Sequence, residues 1–366
     1  MKGCFLGLVL VTLSAFAQDA TQHFTINVGT PEGQALQAIT NEPDGPNRVT
    51  MMNDFLAKYP KHEGASWVAT LLEAAYVGQK EYDKAIEAAD KGLAADPNDL
   101  DLAYATLKTA EAKGDVEQIK KYSGMTSDAA RKIAAKAPAN DEDKARIEYA
   151  KQIDVYSEYA LSTAALKAQE PAKVVELVEA LEQRNPKSQY LAQVSGVYLY
   201  DLGKTGQAGK ACGAAERLGA ANAKDVDALI WAADCNLRAS HADRAVAEAS
   251  KALEGLNSAD VGARRGAISG HANWVLGVAY GSQQKWGLAN KALRAALPMV
   301  KGDAGLAPAA YFFLGLSNYN LGKAVGDKSQ MKEGLQFFEQ CSEMKSNYQG
   351  QASQNVRVIK QELGVR

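Results

Sequence analysis

The chain is punctuated at a fixed interval. Residues 66–99 read SWVATLLEAAYVGQKEYDKAIEAADKGLAADPND. In the first half Leu72, Ala75 and Tyr76 fall at i, i+3 and i+4, one face of a helix. Gly78-Gln79-Lys80 breaks that run. In the second half Tyr82, Ala85, Ile86, Ala89 and Leu93 recur at i, i+3, i+4, i+7 and i+11, the pattern of an amphipathic helix. Asp96-Pro97-Asn98 ends it, because proline has no N–H for the helix ladder and disfavours helix in the residue before it. One such hairpin cannot bury its own apolar face. It demands a stacked neighbour.

The neighbours follow in order. Residues 100–138 give a helix, a break at Lys113-Gly114-Asp115 and a longer second helix, with Ile119 where the first unit has Ala85. Residues 155–186 carry Leu161 and Ala165, then a break at Gln169-Glu170-Pro171. Residues 189–219 carry Gly196, the break Leu202-Gly203-Lys204, then Ala208, Cys212 and Ala215. Residues 226–256 carry Ala233, Ala245 and Leu253, and residues 270–298 carry Leu276-Gly277, Tyr280, Ala289 and Ala296. Residues 308–341 carry Leu314-Gly315, Gly334, Phe338 and Cys341, with an extra loop expected at 323–330. The period, and Leu72, Tyr76, Ala85 and Pro97 within it, resemble the tetratricopeptide repeat (TPR). The resemblance is strongest in the first, fourth and sixth units. It implies an all-α fold: a right-handed α-solenoid of about seven tetratricopeptide-type helix pairs at 63–349, with N- and C-terminal capping segments. The rival reading is another helical solenoid.

The ends differ from the repeats. Within 18–62, residues 23–28 alternate as a lone strand or a simply extended stretch, and 33–39 with 47–59 form a short helix pair divided by Pro43 and Pro46. Within 350–366, Val356, Ile359 and Leu363 share one face of a final helix at 351–363.

Stacked helices explain the composition. The chain has 65 alanines, and alanine both favours helix and lets helices approach closely. Gly196, Gly277 and Gly315 on first helices, and Ala85, Ala208, Ala245 and Ala289 on second helices, are the expected close contacts. The hydrophobic fraction of 46% excludes a disordered chain. A net charge of -2 without a basic stripe excludes nucleic acid as a partner.

Residues 1–17 read as an address. Lys2 precedes an uncharged run to Phe16 and the site Ala15-Phe16-Ala17, the signature of a secretory signal cleaved after Ala17. A periplasmic or secreted location follows as the expectation. Cys4 precedes the apolar run, whereas an acylated cysteine follows one, so lipidation is discounted. No later stretch approaches 18 apolar residues, so no integral membrane segment is expected after cleavage. In an oxidising compartment Cys212, Cys235 and Cys341 are an odd set. Cys212 and Cys235 fall on consecutive helices, which leaves a bridge open; the plainer reading is three small buried apolar residues.

Chemistry-bearing motifs are missing. Residues 203–210 resemble a phosphate loop, but Lys204 stands where its first glycine belongs, and Ala211 replaces the hydroxyl. His23, His62, His241 and His271 form no zinc or hydrolase spacing. His62 and His241 read as solvated turn residues, and His271 as a first-helix residue open to a ligand. Paired acids such as Glu142 and Asp143 fit a helix start, where carboxylates are favoured without chemistry. No catalytic residue, metal or cofactor is expected.

The resemblance places first helices along a concave groove. Counting from the unit starts above, the fifth residue of each first helix is Thr70, Tyr104, Tyr159, Gln193, Ile230, Trp274 and Phe312, four of them aromatic in a chain that is 7% aromatic. The twelfth position adds Tyr200 and Tyr319, and the second adds Trp67, Tyr156 and Tyr190. The expected groove set is therefore Tyr104, Tyr156, Tyr159, Tyr190, Tyr200, His271, Trp274, Phe312 and Tyr319. Aromatic clefts bury large areas at low entropic cost. The competing reading is that these rings only stack between neighbouring helices. Thr70 and Ala74 stand where a carboxylate-clamp TPR domain needs donors, which disfavours that function. The expectation is a non-enzymatic scaffold binding a protein or peptide partner. The alternative is a structural part of an envelope complex, or a homo-oligomer, using its outer faces.

Overall fold

Each break in the pattern ends a helix. The computed structural model describes residues 24–259 and 261–365; the expected signal segment, Cys4 and His23 lie outside the described residues. The chain begins with α1 (Pro31–Asn41) and α2 (Pro46–Lys58). There follow α3 (Ala65–Gly78), α4 (Tyr82–Ala95), α5 (Leu100–Lys113), α6 (Val116–Ala134), α7 (Asp141–Lys167) and α8 (Pro171–Arg184). The second half has α9 (Leu191–Lys204), α10 (Ala208–Ala221), α11 (Val226–Arg238), α12 (Ala242–Gly255), α13 (Arg265–Ser282), α14 (Trp286–Val300), α15 (Ala307–Val325), α16 (Lys328–Ser342) and α17 (Gln349–Leu363). Among the described residues there is no strand; residues 25–27 lack regular structure and 28–29 form a turn.

The turns inside the helix pairs share one geometry. A left-handed residue follows each first helix: Lys80, Gly114, Gly206, Ser240, Gln284 and Gly326, with φ between 58° and 76°. The next residue's amide then bonds back to a carbonyl five positions earlier, as from Glu81 to Tyr76, Asp115 to Ala110 and His241 to Asn236, at 2.8–3.2 Å. This is the Schellman arrangement, which satisfies carbonyls the helix end leaves orphaned. The second helix therefore starts in the same phase each time. Five residues after the left-handed residue come Ala85, Ile119, Ala211, Ala245, Ala289 and Met331, all buried. This corrects one expectation: the small contact residue of α10 is Ala211, and Ala208 is exposed. The α7–α8 connection departs from the rule, with Ala168 extended before Pro171.

The chain divides into two compact units, one built mainly of the described residues up to Gln169 and the other from Glu170 onward, with α8 contributing to both. In the first unit each helix packs on its successor, and α3 also touches α5, as α5 touches α7. In the second, α9 touches α11, α11 touches α13 and α13 touches α15 in the same way. Contact with the next helix and the next-but-one is the packing of an all-α solenoid. Close approach needs missing side chains. A Cβ on Gly277 would sit 2.3 Å from Leu293 Cγ of α14.

Other expectations change. The helix expected from residue 155 begins at Asp141, where Asn140 caps it by accepting from Asp143 N at 2.8 Å. The expected loop at 323–330 shrinks to Gly326-Asp327, because α15 runs on to Val325 and Asp327 caps α16. His62 is no solvated turn residue: its Nδ1 accepts from Gly64 N at 2.9 Å, and it packs edge-on against Phe55. Cys212 and Cys235 form a disulfide with a Cα–Cα distance of 5.8 Å, joining α10 to α11, and Cys341 is a buried free thiol. No described helix is long and apolar enough to cross a membrane.

Candidate functional site

The site begins with one face of α11. Asp227, Ile230, Trp231, Asp234 and Arg238 fall at i, i+3, i+4, i+7 and i+11, a single helical stripe. Asp225 fixes where that helix starts. Its Oδ1 accepts from Ala228 N at 3.0 Å and from Ser195 Oγ of α9 at 2.7 Å. Burial pushes the Asp225 carboxyl up to about 6, against the lowering effect of those two donors. The disulfide at Cys235 ties the same helix to α10.

Helices on either side complete a pocket of about 450 Å³. Gly196 and Tyr200 of α9 form one wall, and His271 of α13 with Arg264, which caps the start of α13, the other. A Cβ on Gly196 would sit 3.2 Å from Asp227 Cγ, so glycine there lets the Asp227 side chain settle against α9. Asp227 is held by Arg264 through two parallel bonds of 2.8 and 3.0 Å, the fork geometry suited to a carboxylate. Asp234 pairs with Arg238 on its own helix and lies 3.6 Å from His271 Nε2, which is buried without a hydrogen-bond partner. Burial works to raise the Asp234 carboxyl, but His271 and Arg238 outweigh it, and the net shift is downward. Asp234 is thus held ionised beneath an arginine. Trp231 is half-buried, and Tyr200 is 54% exposed with the Lys204 ammonium 4.5 Å from its ring centroid.

The expected aromatic set is not one surface. Tyr200 and His271 come together here. Trp274 and Phe312 do not line a groove and are corrected to core residues, 8% and 4% exposed. Trp274 donates from Nε1 to the Leu306 carbonyl at 2.9 Å, and Phe312 is ringed by Phe313, Phe338 and Tyr348. Tyr319 donates to Glu362 of α17 and accepts from Lys323 at 2.9 Å, locking the last helix in place. Tyr190 is half-buried at the start of α9.

Tyr104, Tyr156 and Tyr159 gather in the first unit, on α5 and α7. Tyr104 and Tyr156 meet edge-on at 5.2 Å, and Tyr159 lies 5.6 Å from Tyr156. Tyr156 donates to Glu111 at 2.6 Å, and Lys108 pairs with Glu111 at 3.1 Å. Burial and the Glu111 charge both raise the Tyr156 phenol. Elsewhere in this unit Glu73 is 1% exposed, between Thr109 Oγ1 at 2.9 Å and Thr106 Oγ1 at 3.3 Å. Burial drives its carboxyl up to about 8 despite those hydroxyls.

Sequence reasoning misses Trp231, Asp227, Asp234, Arg238 and Arg264, because it looks for rings at three fixed positions of each first helix, and a count from helix starts does not keep phase in every unit. Counting back ten residues from the left-handed turn residue instead aligns Tyr104, Gly196, Ile230, Trp274 and Leu316. Gln193 and Phe312 are out of register by three and four residues.

Among the described residues no cluster of three or more histidine, cysteine or acidic side chains is arranged to hold a metal. No protein-family model matches the chain, and a search of curated proteins finds no match. Among solved structures the chain is similar to the TPR domain of P58(IPK), at 11% identity and a TM-score of 0.31, covering 91% of this chain and 98% of that one. It is also similar to yeast Tom70, at 12% identity and a TM-score of 0.28, covering 92% and 95%.

Proposed function

We propose that this protein is a non-enzymatic interaction scaffold that works outside the cytoplasm and receives a segment of a protein partner in the pocket between α9, α11 and α13. The pocket carries the reading. Its volume of about 450 Å³ falls within the roughly 300–1,000 Å³ of sites that enclose a ligand. Its walls combine an indole and a phenol with fixed charges, the residue types that anchor protein interfaces. The Cys212–Cys235 bridge and the secretory-type N-terminus support an oxidising compartment.

A library of short immobilised peptides tests this. The intact protein is expected to capture a subset of sequences with a change in Trp231 fluorescence. The double variant Tyr200→Ala, Trp231→Ala is expected to lose about tenfold or more in affinity while keeping its helical circular dichroism. Capture of no peptide, or undiminished capture by the double variant, rejects the pocket.

A further inference from the structure

We propose that α10 is a redox-released helix, docked while the Cys212–Cys235 bridge is closed and let go when a dithiol opens it. This goes beyond the pocket reading and does not depend on it.

The sequence of α10 gives it little else to hold on with. Its 14 residues, AGKACGAAERLGAA, contain one aliphatic side chain larger than alanine, Leu218, and no aromatic one. The second helices that follow bring more to the core: Val246 and Leu253 from α12, Leu293 and Val300 from α14, Leu335 and Phe338 from α16. Buried apolar area is what holds an amphipathic helix to its neighbours, so α10 is docked less firmly than those three. Its backbone adds to the weakness. Gly209, Gly213 and Gly219 lie inside it, and each disfavours helix relative to alanine. Gly219 is needed for packing, since a Cβ there would sit 3.1 Å from Leu229 Cδ2 of α11. The other two are not: a Cβ on Gly209 would meet nothing within 4 Å, and one on Gly213 only Arg217 Nη1 at 3.8 Å. Gln207 gives no side-chain cap, and Lys210 stands in the first turn, where the helix dipole disfavours a cation.

What remains is a few polar contacts and one covalent bond. Arg217 pairs with Glu182 of α8 through two bonds of 3.1 Å, and Asn236 Nδ2 of α11 lies 3.4 Å from Glu216 Oε1. Solvent-facing contacts of this kind contribute little. The bridge joins Cys212, inside α10, to Cys235 of α11. Cys212 is half-buried and Cys235 is 8% exposed, so Cys212 is the open side for attack. A thiolate of the dithiol bonds the Cys212 sulfur, and the Cys235 thiolate leaves and takes up a proton. The reductant's second thiol then displaces Cys212 as a thiol, and the reductant departs as a cyclic disulfide. Two electrons and two protons pass to the protein. Release of α10 bares Leu229 beneath Gly219 and frees the stretch that joins α9 to α11.

Amide hydrogen exchange on the full chain, oxidised and after treatment with dithiothreitol under native conditions, tests this. A brief pulse of iodoacetamide on a parallel sample, read by mass spectrometry, is expected to label Cys212 and Cys235 only after reduction, while buried Cys341 stays unlabelled in both. Reduction is expected to speed exchange in α10 by about tenfold or more, with α12 and α14 changing by less than about twofold. The double variant Gly209→Ala, Gly213→Ala strengthens the helix without touching the bridge, and is expected to slow α10 exchange several-fold in the reduced chain. A bridge that native dithiothreitol leaves closed overturns the proposal. So does a smaller change in α10, or an equal change in α12 and α14. Exchange in the reduced chain that the two alanines do not slow overturns it as well, because α10 would then not be released through its own weakness as a helix.

Discussion

The tyrosine cluster of α5 and α7 and the pocket of α9, α11 and α13 are made of similar parts. Each has aromatic rings, carboxylates and cations on consecutive first helices. They differ in where the polar groups end. In the cluster, the Tyr156 hydroxyl, Glu111 and Lys108 satisfy one another, and the three rings lean together. In the pocket, the acids are satisfied but their arginines still face solvent, and Trp231 and Tyr200 do not close on each other. Aromatic density alone therefore does not tell an open pocket from a closed cluster. What matters is whether the rings and charges use up their partners within the fold.

The comparison extends to what each unit responds to. The largest difference is expected with pH. In the first unit, the Glu73 carboxyl has a pKa of about 8 in the folded chain, against 4.5 for an ordinary glutamate. Between those values the folded state holds a proton that the unfolded state has lost. The stability this contributes is full below about pH 4.5 and is lost as pH rises through about 8. The span corresponds to a few kcal/mol, with about 1.4 kcal/mol for each tenfold change in proton affinity as the ceiling. The carboxamide of Glu73→Gln keeps both threonine contacts, so this slope is expected to vanish in urea titrations repeated across that range. A slope unchanged by the substitution removes Glu73 as its source.

Redox chemistry is expected to act on the other unit. The Cys212–Cys235 bridge closes a separation of 23 residues, a loop whose chain-entropy contribution is about 3 kcal/mol. The double variant Cys212→Ser, Cys235→Ser is expected to lower stability by about that much and to speed amide exchange in α10 and α11, leaving α3 to α6 unaltered. Uniform acceleration across both units would contradict the local role.

A smaller effect separates the two aromatic regions directly. Tyr156→Phe removes the Glu111 hydrogen bond and is expected to cost about 1–2 kcal/mol in the first unit, as for a bond to a charged group. Peptide affinity at the pocket is expected not to change, and a change would mean that the cluster takes part in binding.

The smallest effect is expected to be the same in both units. Lys80, Ser240 and Gln284 hold left-handed backbone without being glycine. Replacing each with glycine is expected to raise stability by about 0.5–1 kcal/mol, the left-handed strain relieved less the added freedom of the unfolded chain. Thermal melts of the three single variants check it. A loss at any one would show that its side chain contributes more than its backbone costs.

The amino-acid sequence by itself determined the helices and their order. Proline, glycine and capping aspartates end or start helices through local backbone chemistry, so the units at α3–α4 and α11–α12 were legible to within a few residues. It also determined close packing: the expectation at Gly277 is met by Leu293, because a missing Cβ admits a neighbour wherever the partner comes from. Phase was harder to read. The period alone puts Ala208 and Phe312 on the wrong faces because helix starts fray and extend, whereas the left-handed turn residue sets the register. Only the tertiary structure decided which rings are covered. Trp231 and Trp274 both lie on first helices, one position apart in the register that the left-handed turn residues set. Trp274 is closed over by the start of α15 and bonds to its preceding carbonyl, while Trp231 lines the pocket between α9, α11 and α13. Burial is a property of what packs opposite a residue, and that partner lies more than thirty positions away along the chain.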